Sequence, residues 1–320
     1  EKTYLELLDD NRIIFPRNGD GMPRKKYFKY EREAEGQCAT NWWDCNQFGH
    51  NQGANDCLTD LFGQKNIFSN PKPVELLRAL MQIGNVKNDD IVFDFFSGSA
   101  TLAHAAIIFN KERDCKVKFI LTQIEENLDF AMSKASGKAK DKMKSAIAFL
   151  DSINKPHNIC EIGKERIRRA GKKIKEENPL TTQDLDIGFR VLKCDSSNME
   201  DVYFTPKEYM DKQQSLFIDN IKKDRSDEDL LFDAMLKLDT PLSSKIEKIS
   251  IAGKTVYNVA QGHLMACFDT DVTDEVITAI AKEMPSYFVM RDSSQADDSV
   301  AINFEQIFNT YSPQTVRRVL

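Results

Sequence analysis

Residues 94–101, Asp-Phe-Phe-Ser-Gly-Ser-Ala-Thr, place a carboxylate, hydroxyls and one glycine where an apolar run changes to helical spacing. The apolar run at 91–96 predicts a buried strand, and the spacing from Leu102 onward predicts a helix. Gly98 would let a backbone approach a ligand closely, and amides at a helix start can face an anionic or carboxylate group. In open α/β sheets such turns lie at the carboxyl ends of strands, where nucleotide-like ligands bind. The stretch therefore predicts a ligand-binding turn.

The residues after this turn narrow the kind of ligand. No Gly-Lys-Ser or Gly-Lys-Thr follows, so the turn is not a phosphate-binding P-loop. It also lacks the three spaced glycines of a dinucleotide-binding fold. A one-glycine turn also occurs in ordinary strand–turn–helix connections, so the turn alone leaves a purely structural interpretation open. If it binds a ligand, a compound other than a polyphosphate is favoured.

An upstream segment at 66–77 makes the interpretation specific. It contains Phe-Ser-Asn-Pro-Lys-Pro and leads into an apolar helical stripe that ends at Gly84. Together with Asp-Phe-Phe-Ser-Gly-Ser at 94–99 and the His-Ala at 104–105, it resembles the modification subunit of type III restriction-modification systems. Those subunits resemble the other amino-methylating DNA methyltransferases of the permuted β class. The resemblance implies that the two segments form an S-adenosylmethionine pocket.

The resemblance implies cofactor-binding residues on three segments. They are Phe68, Asn70, Lys72, Pro73, Asp94, Phe95, Phe96, Ser97, Gly98, Ser99, Thr101, Gln123 and Glu125. In methyltransferases an acidic residue near the end of the second strand usually accepts hydrogen bonds from the cofactor ribose, and here Gln123 or Glu125 is the candidate. A carboxylate accepts two hydroxyl hydrogen bonds, whereas a glutamine amide accepts with its oxygen and donates with its nitrogen.

Two residues of the turn depart from the family pattern. The family has Gly and Thr where this sequence has Ala100 and Leu102. If the turn needs a positive φ at Ala100, an alanine there is strained, and we expect weaker cofactor binding. Just upstream, Asn70 is expected to cap the following helix and Pro73 to occupy its first turn.

The expected fold class is α/β, a Rossmann-like S-adenosylmethionine-dependent methyltransferase sheet with a smaller α+β C-terminal domain. Three segments are predicted: the end of a target-recognition segment at 1–62, the cofactor-binding core at 63–200 and a C-terminal assembly domain at 201–320. Residues 117–123 predict a second parallel strand, and the alternation at 186–193 predicts the last strand of the main sheet.

Two further helical or strand patterns complete the chain. Residues 159–174 predict a basic helix that leaves its basic residues outward, as a solvated face rather than a phosphate clamp. The residues that it packs inward are Ile159, Ile167, Ala170 and Ile174. The last segment predicts short strands and one helix, and its acidic composition suits protein partners better than DNA. The strands are predicted at 255–259, 264–268 and 287–290, and the helix at 274–282. Phe304, Ile307 and Phe308 recur at helical spacing and favour a core role over an interface.

Basic and aromatic residues alternate near the N-terminus. The candidate DNA-binding residues are Arg24, Lys25, Lys26 and Lys29, interleaved with Tyr27, Phe28 and Tyr30. Basic side chains could neutralise phosphates while the aromatic rings pack or stack. The alternative is a solvated face over a small aromatic core. Pro-Arg-Lys at 23–25 and Asn-Trp-Trp at 41–43 resemble the family's target-recognition segment, which favours DNA contact.

Length and composition set the remaining limits. The 320 residues suffice for two domains, and the net charge of −6 does not by itself indicate a nucleic-acid binder. No apolar run approaches the roughly 20 residues of a membrane span, so a soluble cytoplasmic protein is expected. Seven cysteines without a Cys-x-x-Cys pair predict reduced thiols. The irregular spacing of Cys38, Cys45, His50 and Cys57 predicts free cysteines and no metal site.

The motif that would position the target base is missing from the sequence. Amino-methyltransferases carry Asp/Asn-Pro-Pro-Tyr/Phe, and in the permuted order it precedes the recognition segment, so catalytic residues are expected upstream of Glu1. The chain starts without methionine, and a fragment is expected. The resemblance implies the cofactor-binding and C-terminal portion of an adenine-specific methyltransferase, inactive alone, with double-stranded DNA, a second copy and a restriction helicase-nuclease subunit as partners. A non-catalytic binding module and another nucleotide-using α/β enzyme remain alternatives.

Overall fold

The computed structural model describes residues 2–31, 39–200, 221–294 and 298–320. The chain forms two compact units, residues 1–191 and residues 192–320. Residues 201–220, with which the predicted C-terminal segment begins, lie outside the described ranges, as does Cys38. Among the helices that the structure describes, none is both long and apolar enough to cross a membrane.

The N-terminal unit contains helices around two small sheets. Its helices are α1 (Lys2–Asp9), α2 (Cys45–Phe48), α3 (Asn51–Phe62), α4 (Val74–Ile83), α5 (Thr101–Arg113), α6 (Leu128–Lys134), α7 (Gly137–Ser152) and α8 (Ile159–Glu177). Its strands are β1 (Ile13–Ile14), β2 (Arg24–Lys25), β3 (Ile91–Asp94) and β4 (Lys118–Leu121). β1 pairs with β2 in antiparallel fashion, and β3 pairs with β4 in parallel. The predicted parallel strand after α5 is therefore confirmed.

Helix α5 joins the two parallel strands and covers one face of them. Every residue from Thr101 to Ile107 is buried, and several are alanines, which allow neighbouring elements to pack on all sides of the helix. Val92, Phe119 and Leu121 pack against α5 and its neighbours. The alternate residues of the two strands point away from α5, as the period of a strand requires.

The predicted strand at 186–193 is wrong. This segment pairs with none of the described strands. Its alternate apolar residues do face the core, because Leu185, Ile187 and Phe189 pack against the cluster that contains Ile167. Asp186 Oδ1 accepts a hydrogen bond from Gly188 N at 2.8 Å. That local turn competes with an extended ladder, which is the usual effect of an aspartate side chain on nearby backbone.

Helix α4 begins later than Asn70 would allow. Pro73 occupies its N-cap position, and no side chain caps it, so the predictions that Asn70 caps the helix and that Pro73 lies in its first turn are both wrong. Asn70 instead adopts a left-handed φ of 53°, which asparagine tolerates. Gly84 follows the last residue of α4 as predicted. Helix α8 is also confirmed, and its start is explained by Asn158, whose side chain accepts from Glu161 N at 3.0 Å.

The C-terminal unit is built on a five-stranded sheet in the order β5-β6-β7-β8-β9. Its elements are α9 (Asp227–Lys237), β5 (Ile246–Ile251), β6 (Lys254–Val259), β7 (Leu264–Cys267), α10 (Asp274–Lys282), β8 (Tyr287–Met290), α11 (Asp298–Tyr311) and β9 (Val316–Val319). β6 pairs in antiparallel fashion with both β5 and β7, whereas β8 pairs in parallel with both β7 and β9. The predicted strands β6, β7 and β8 and helix α10 are confirmed, and β5 and β9 were not predicted.

Helices cover both faces of this five-stranded sheet. α10 and α11 pack on one face through residues that include Phe304 and Phe308, and α9 packs on the other through Leu231 and Met235. The alternating residues of β7 separate accordingly, with Met265 facing one cluster and its neighbours facing the other. The preference for a core role of Phe304 and Phe308 is confirmed.

Candidate functional site

The turn after β3 is tied to the neighbouring strand by backbone hydrogen bonds. Thr122 N donates to Asp94 O at 2.9 Å, and Ser97 N donates to Thr122 O at 3.1 Å. The Asp94 carboxylate lies at the strand end, where its Oδ1 accepts from Phe96 N at 3.0 Å. The Asp94 carboxylate at the start of the turn is therefore held in place by a backbone amide of the turn itself.

The structure brings the two predicted cofactor segments together at Gly98 and Phe68. A Cβ at Gly98 would lie 3.2 Å from Phe68 Cζ, and Gly98 has a left-handed φ of 49°. Both conditions favour glycine, because any side chain would meet the ring and strain the backbone. Close to Phe68 in the chain, Pro73 is buried while Lys72 is exposed.

Three amides of the turn that leads into α5 are already bonded within the protein. Besides Ser97 N, Gly98 N donates to Gln123 Oε1 at 2.8 Å and Ala100 N donates to Ser97 O at 2.7 Å. These three amides of the turn are therefore not open to an anionic group. An anion-binding helix start requires donors that the protein leaves open.

Gln123 and Glu125 differ in what they contact. Gln123 uses its oxygen on the turn, and its Nε2 donates to Ile124 O at 3.2 Å. Glu125 lies exposed beyond the end of β4, and its Oε1 accepts from Asn158 Nδ2 at 2.8 Å. Of the two candidates for the ribose contact, Glu125 is the exposed one, and its side chain is a carboxylate.

Aromatic rings form an exposed apolar surface beside the turn. The rings of Phe95 and Phe96 have centroids 4.9 Å apart, and Phe95 lies 5.9 Å from Phe93. All three are exposed. Such a surface can receive a flat or apolar ligand group.

The hydroxyls of Ser99 and Thr101 point into the protein toward Arg166 of α8. Arg166 Nη1 donates to Ser99 Oγ at 2.8 Å, to Thr101 Oγ1 at 2.7 Å and to Ser99 O at 3.3 Å. Arg166 is 0% exposed, so the prediction that the basic residues of α8 face outward is wrong for it. The spacing of residues along the helix could have indicated this burial. Arg166 lies three residues after Gly163 and four before Ala170, so all three share one face of the helix.

Burial sets the charge state of the groups beneath the turn. Burial lowers the pKa of Arg166 to about 10, so it stays cationic at neutral pH. Burial also lowers the pKa of His104 on α5 to about 3, and the positive charges of Arg166 and Lys173 act in the same direction. Burial raises the pKa of the Cys57 thiol. Of Arg166, His104 and Cys57, it is therefore Arg166 that carries a charge at neutral pH.

Ala100 and Leu102, the two departures from the family pattern, have different surroundings. Ala100 is the N-cap of α5 with φ 58° and ψ 40°, so the condition for strain at this position is met. It is buried, and a Cβ at Gly163 would lie 3.4 Å from the Ala100 methyl. Leu102 packs in the core with Met81, away from the turn surface.

The basic residues near the N-terminus lie on and after β2. Arg24, Lys25 and Lys29 are exposed and Lys26 is half-buried, and Lys25 Nζ lies 5.2 Å from the centre of the Tyr27 ring. Arg12, which also belongs to this basic stretch, is paired with both oxygens of Glu31 and with Asp10. The four predicted residues thus share one short segment.

The prediction of no metal site depends on the cysteines. Cys45 and Cys57 are free thiols. In the described ranges, no group of three or more His, Cys, Asp or Glu side chains is arranged to hold a metal ion.

Residues 7–133 match the family model for DNA methylases. The type III restriction-modification enzyme StyLTI Mod subunit of Salmonella typhimurium is 35% identical over 190 residues, which cover 59% of this chain and 25% of that protein. The EcoPI Mod subunit of Escherichia phage P1 is 27% identical over 270 residues, 82% of this chain and 37% of that protein. The chain thus spans about a quarter to a third of the length of these relatives.

These similarities agree with the segments on which the sequence pattern depended. The DNA methylase match includes both Phe68 and the turn at 94–101. The predicted resemblance of this chain to the modification subunits of type III restriction-modification systems is therefore confirmed.

Proposed function

We propose that this chain is the S-adenosylmethionine-binding and C-terminal portion of a type III subunit that methylates the exocyclic amino group of adenine in DNA. The observation that carries this proposal is the contact between Phe68 and Gly98, two residues from separate segments that resemble the family's cofactor-binding segments. The parallel β3-α5-β4 unit supports a Rossmann-like sheet with its turn at the carboxyl end of the first strand.

Each part of the turn has a distinct proposed role. The Asp94 carboxylate faces the cofactor ammonium group, since one oxygen is bonded to the Phe96 amide and a carboxylate has further acceptor capacity. Phe68 and Gly98 let the cofactor approach the turn closely. The Glu125 carboxylate accepts hydrogen bonds from the ribose hydroxyls. The bound cofactor supplies a methyl group on a sulfonium. Gln123, Ser99 and Thr101 hold the turn from within rather than contact the cofactor through their side chains.

The remaining predicted roles follow from the same resemblance and are part of this proposal. Arg24, Lys25, Lys26 and Lys29 contact the phosphates of double-stranded DNA. The segments 1–62, 63–200 and 201–320 serve recognition, cofactor binding and assembly, the last with a second copy and a restriction subunit in the cytoplasm. The residues that position the target adenine lie outside the 320 residues, since no Asp-Pro-Pro-Tyr occurs among them.

Calorimetric titration of the purified chain with S-adenosylhomocysteine tests the cofactor site. We expect one site per chain and no comparable binding of ATP, because the turn is not a phosphate-binding loop. Asp94→Asn should weaken binding by about tenfold to a hundredfold, since a lost charge-assisted hydrogen bond is worth roughly 1.5–3 kcal/mol. Asp141→Asn, an exposed carboxylate on α7, serves as the control and should bind as the unmodified chain does.

Two results would contradict the proposal. The cofactor role is wrong if folded protein shows no heat of binding at millimolar S-adenosylhomocysteine. The assignment of catalysis to residues outside the chain is wrong if the chain alone transfers labelled methyl groups to unmodified duplex DNA.

A further inference from the structure

Arg166 has no acidic partner although it is completely buried. Among the residues that the structure describes, no carboxylate lies within salt-bridge distance of its guanidinium, and its Nε and Nη2 atoms have no hydrogen-bond partner. Burying a cation in this way costs several kcal/mol unless other interactions compensate. A leucine or methionine would fill the same space without that cost. The guanidinium is therefore not explained by packing alone.

All of the polar contacts of Arg166 go to the turn that carries the proposed cofactor site. One nitrogen, Nη1, bonds to both oxygens of Ser99 and to the hydroxyl of Thr101. These residues directly follow Gly98 and flank the strained Ala100. A single charged donor thus fixes the backbone of the turn and the orientation of two side chains.

Helix α8 lies close beneath the same turn. A Cβ at Gly163 would lie 3.5 Å from Gly98 O, so the backbone of α8 approaches the turn one helical turn before Arg166. From the other side, Gln123 Oε1 holds the Gly98 amide. The turn is held from β4 and from α8, which are far apart in sequence.

We propose that Arg166 is a positioning residue that keeps the turn at 97–101 preformed for S-adenosylmethionine, an inference that rests on the proposed function. A turn ordered before binding loses less conformational entropy when the ligand arrives, so affinity rises without any contact between Arg166 and the ligand. The guanidinium retains its charge at neutral pH, since its lowered pKa of about 10 is still well above 7.

The same helix provides a matched control. Arg169 Nη1 donates to Leu61 O at 3.4 Å and to Phe62 O at 3.1 Å, the last carbonyls of α3. Its guanidinium carbon also lies 5.5 Å from the centre of the Phe62 ring. Arg169 therefore stabilises the end of α3 rather than the turn. Replacing Arg166 or Arg169 removes a fully or partly buried cation from α8, but only the replacement of Arg166 removes hydrogen bonds to the turn.

The test compares R166M, R166K and R169M in the full chain. Three quantities are measured: affinity for S-adenosylhomocysteine by calorimetry, the urea midpoint, and hydrogen exchange at the amides of Gly98 and Ala100. We expect R166M to weaken binding about tenfold or more and to accelerate exchange at both amides. R166K should recover part of the affinity, since an ammonium group can still donate to the two hydroxyls. R169M should lower the midpoint but leave affinity within about twofold.

The outcomes separate this inference from the proposed function. If the unmodified chain binds and R166M binds equally well, or if R169M weakens binding as much as R166M, the positioning role is wrong. If the unmodified chain does not bind, the proposed function is wrong. The exchange data then decide the role of Arg166: faster exchange at the turn in R166M but not R169M supports it, and unchanged exchange overturns it. Should R166M fail to fold, R166K provides the same comparison.

Discussion

The β3-β4 sheet of the N-terminal unit and the five-stranded sheet of the C-terminal unit differ in how their faces are covered. In the C-terminal unit, Phe288 on β8 is 0% exposed and contacts rings from α11, while the opposite face packs on α9. In the N-terminal unit, Phe93 on β3 is 58% exposed although it occupies an equally apolar strand. Apolar residues on both faces of a parallel strand are typical of strands covered on both sides. In the described residues, only one face of β3 and β4 has that cover.

This difference shows which contacts stabilise each unit. The C-terminal unit depends on two apolar clusters, one on each face of its sheet. The N-terminal unit has helices on one face of β3 and β4, and the turn that joins β3 to α5 is held by the half-buried Gln123 and the buried Arg166. Polar networks of this kind specify a unique geometry, but they are sensitive to charge and to the loss of one partner.

The largest expected difference is between two phenylalanine substitutions. Phe288→Ala should destabilise the C-terminal unit by about 3–5 kcal/mol, because it removes a fully buried ring. Phe93→Ala should cost the N-terminal unit less than about 1 kcal/mol, because its ring is already in water. Both tryptophans, at residues 42 and 43, belong to the N-terminal unit, so their fluorescence reports that unit, and circular dichroism reports both. Equal costs for the two substitutions would contradict the comparison.

Acid should weaken the N-terminal unit through His104. Its pKa is lowered to about 3 by burial, so between pH 6.5 and pH 3 the unfolded chain binds a proton that the folded chain does not. Stability is therefore complete above pH 6.5 and is lost as the pH falls. At pH 4.5 the expected loss is on the order of 3 kcal/mol. Urea unfolding followed by tryptophan fluorescence at pH 7 and pH 4.5 measures it.

His104→Leu should remove much of this acid sensitivity, since leucine does not titrate. His157 provides a contrast, because the hydrogen bonds that its ring donates to Asp151 and then to Asp129 raise its pKa. Its contribution has the opposite sign: it is present below the pKa of the unfolded chain and is lost as the pH rises through the raised value. His157 lies half-buried at the protein surface, so solvent screening keeps this contribution small. An unchanged acid sensitivity in His104→Leu would show that other groups control it.

The open face of β3 should bind a hydrophobic dye. Replacing Ile91 and Phe93 by threonine keeps β-propensity and removes much of the exposed apolar area, so fluorescence of a bound naphthalene sulfonate dye should fall. The change in stability should stay within about 0.5 kcal/mol. Leu236→Ser, at an isolated exposed leucine of α9, should leave dye fluorescence unchanged. Unaltered dye binding in the double variant would mean that the apolar surface lies elsewhere.

The smallest expected effect is at Ala100. A left-handed alanine costs about 1–2 kcal/mol relative to glycine, whereas Ala100→Gly loses a buried methyl worth about 0.8 kcal/mol and gains unfolded-state entropy worth roughly 0.4–1 kcal/mol. These terms nearly cancel, so the urea midpoint should hardly change. Ala103→Gly, in the interior of α5, relieves no such strain and should destabilise by about 1–2 kcal/mol. If both substitutions destabilise equally, Ala100 stores no strain.

Local patterns predicted the elements that position the site. Apolar spacing and turn residues indicated β3, β4 and helices α4, α5 and α8, because each depends on neighbours a few residues apart. The same reasoning was wrong for residues 186–193. There the alternate apolar residues pack against the core, but the segment forms a turn closed by the Asp186 side chain instead of pairing with a strand. Alternation fixes which side chains face a core, but a strand also needs a neighbouring strand with which to bond.

The sequence by itself determined the order of elements, the position of the turn after β3 and the resemblance to type III modification subunits. Only the tertiary structure decided that Phe68 meets Gly98, that Gln123 holds the turn and that Arg166 is buried beneath it. The reason is physical: Arg166 lies 65 residues from Thr101, and no local pattern encodes a hydrogen bond across that separation. A basic residue on a basic helix is expected in water, and its burial becomes clear once the acceptors beside it are known.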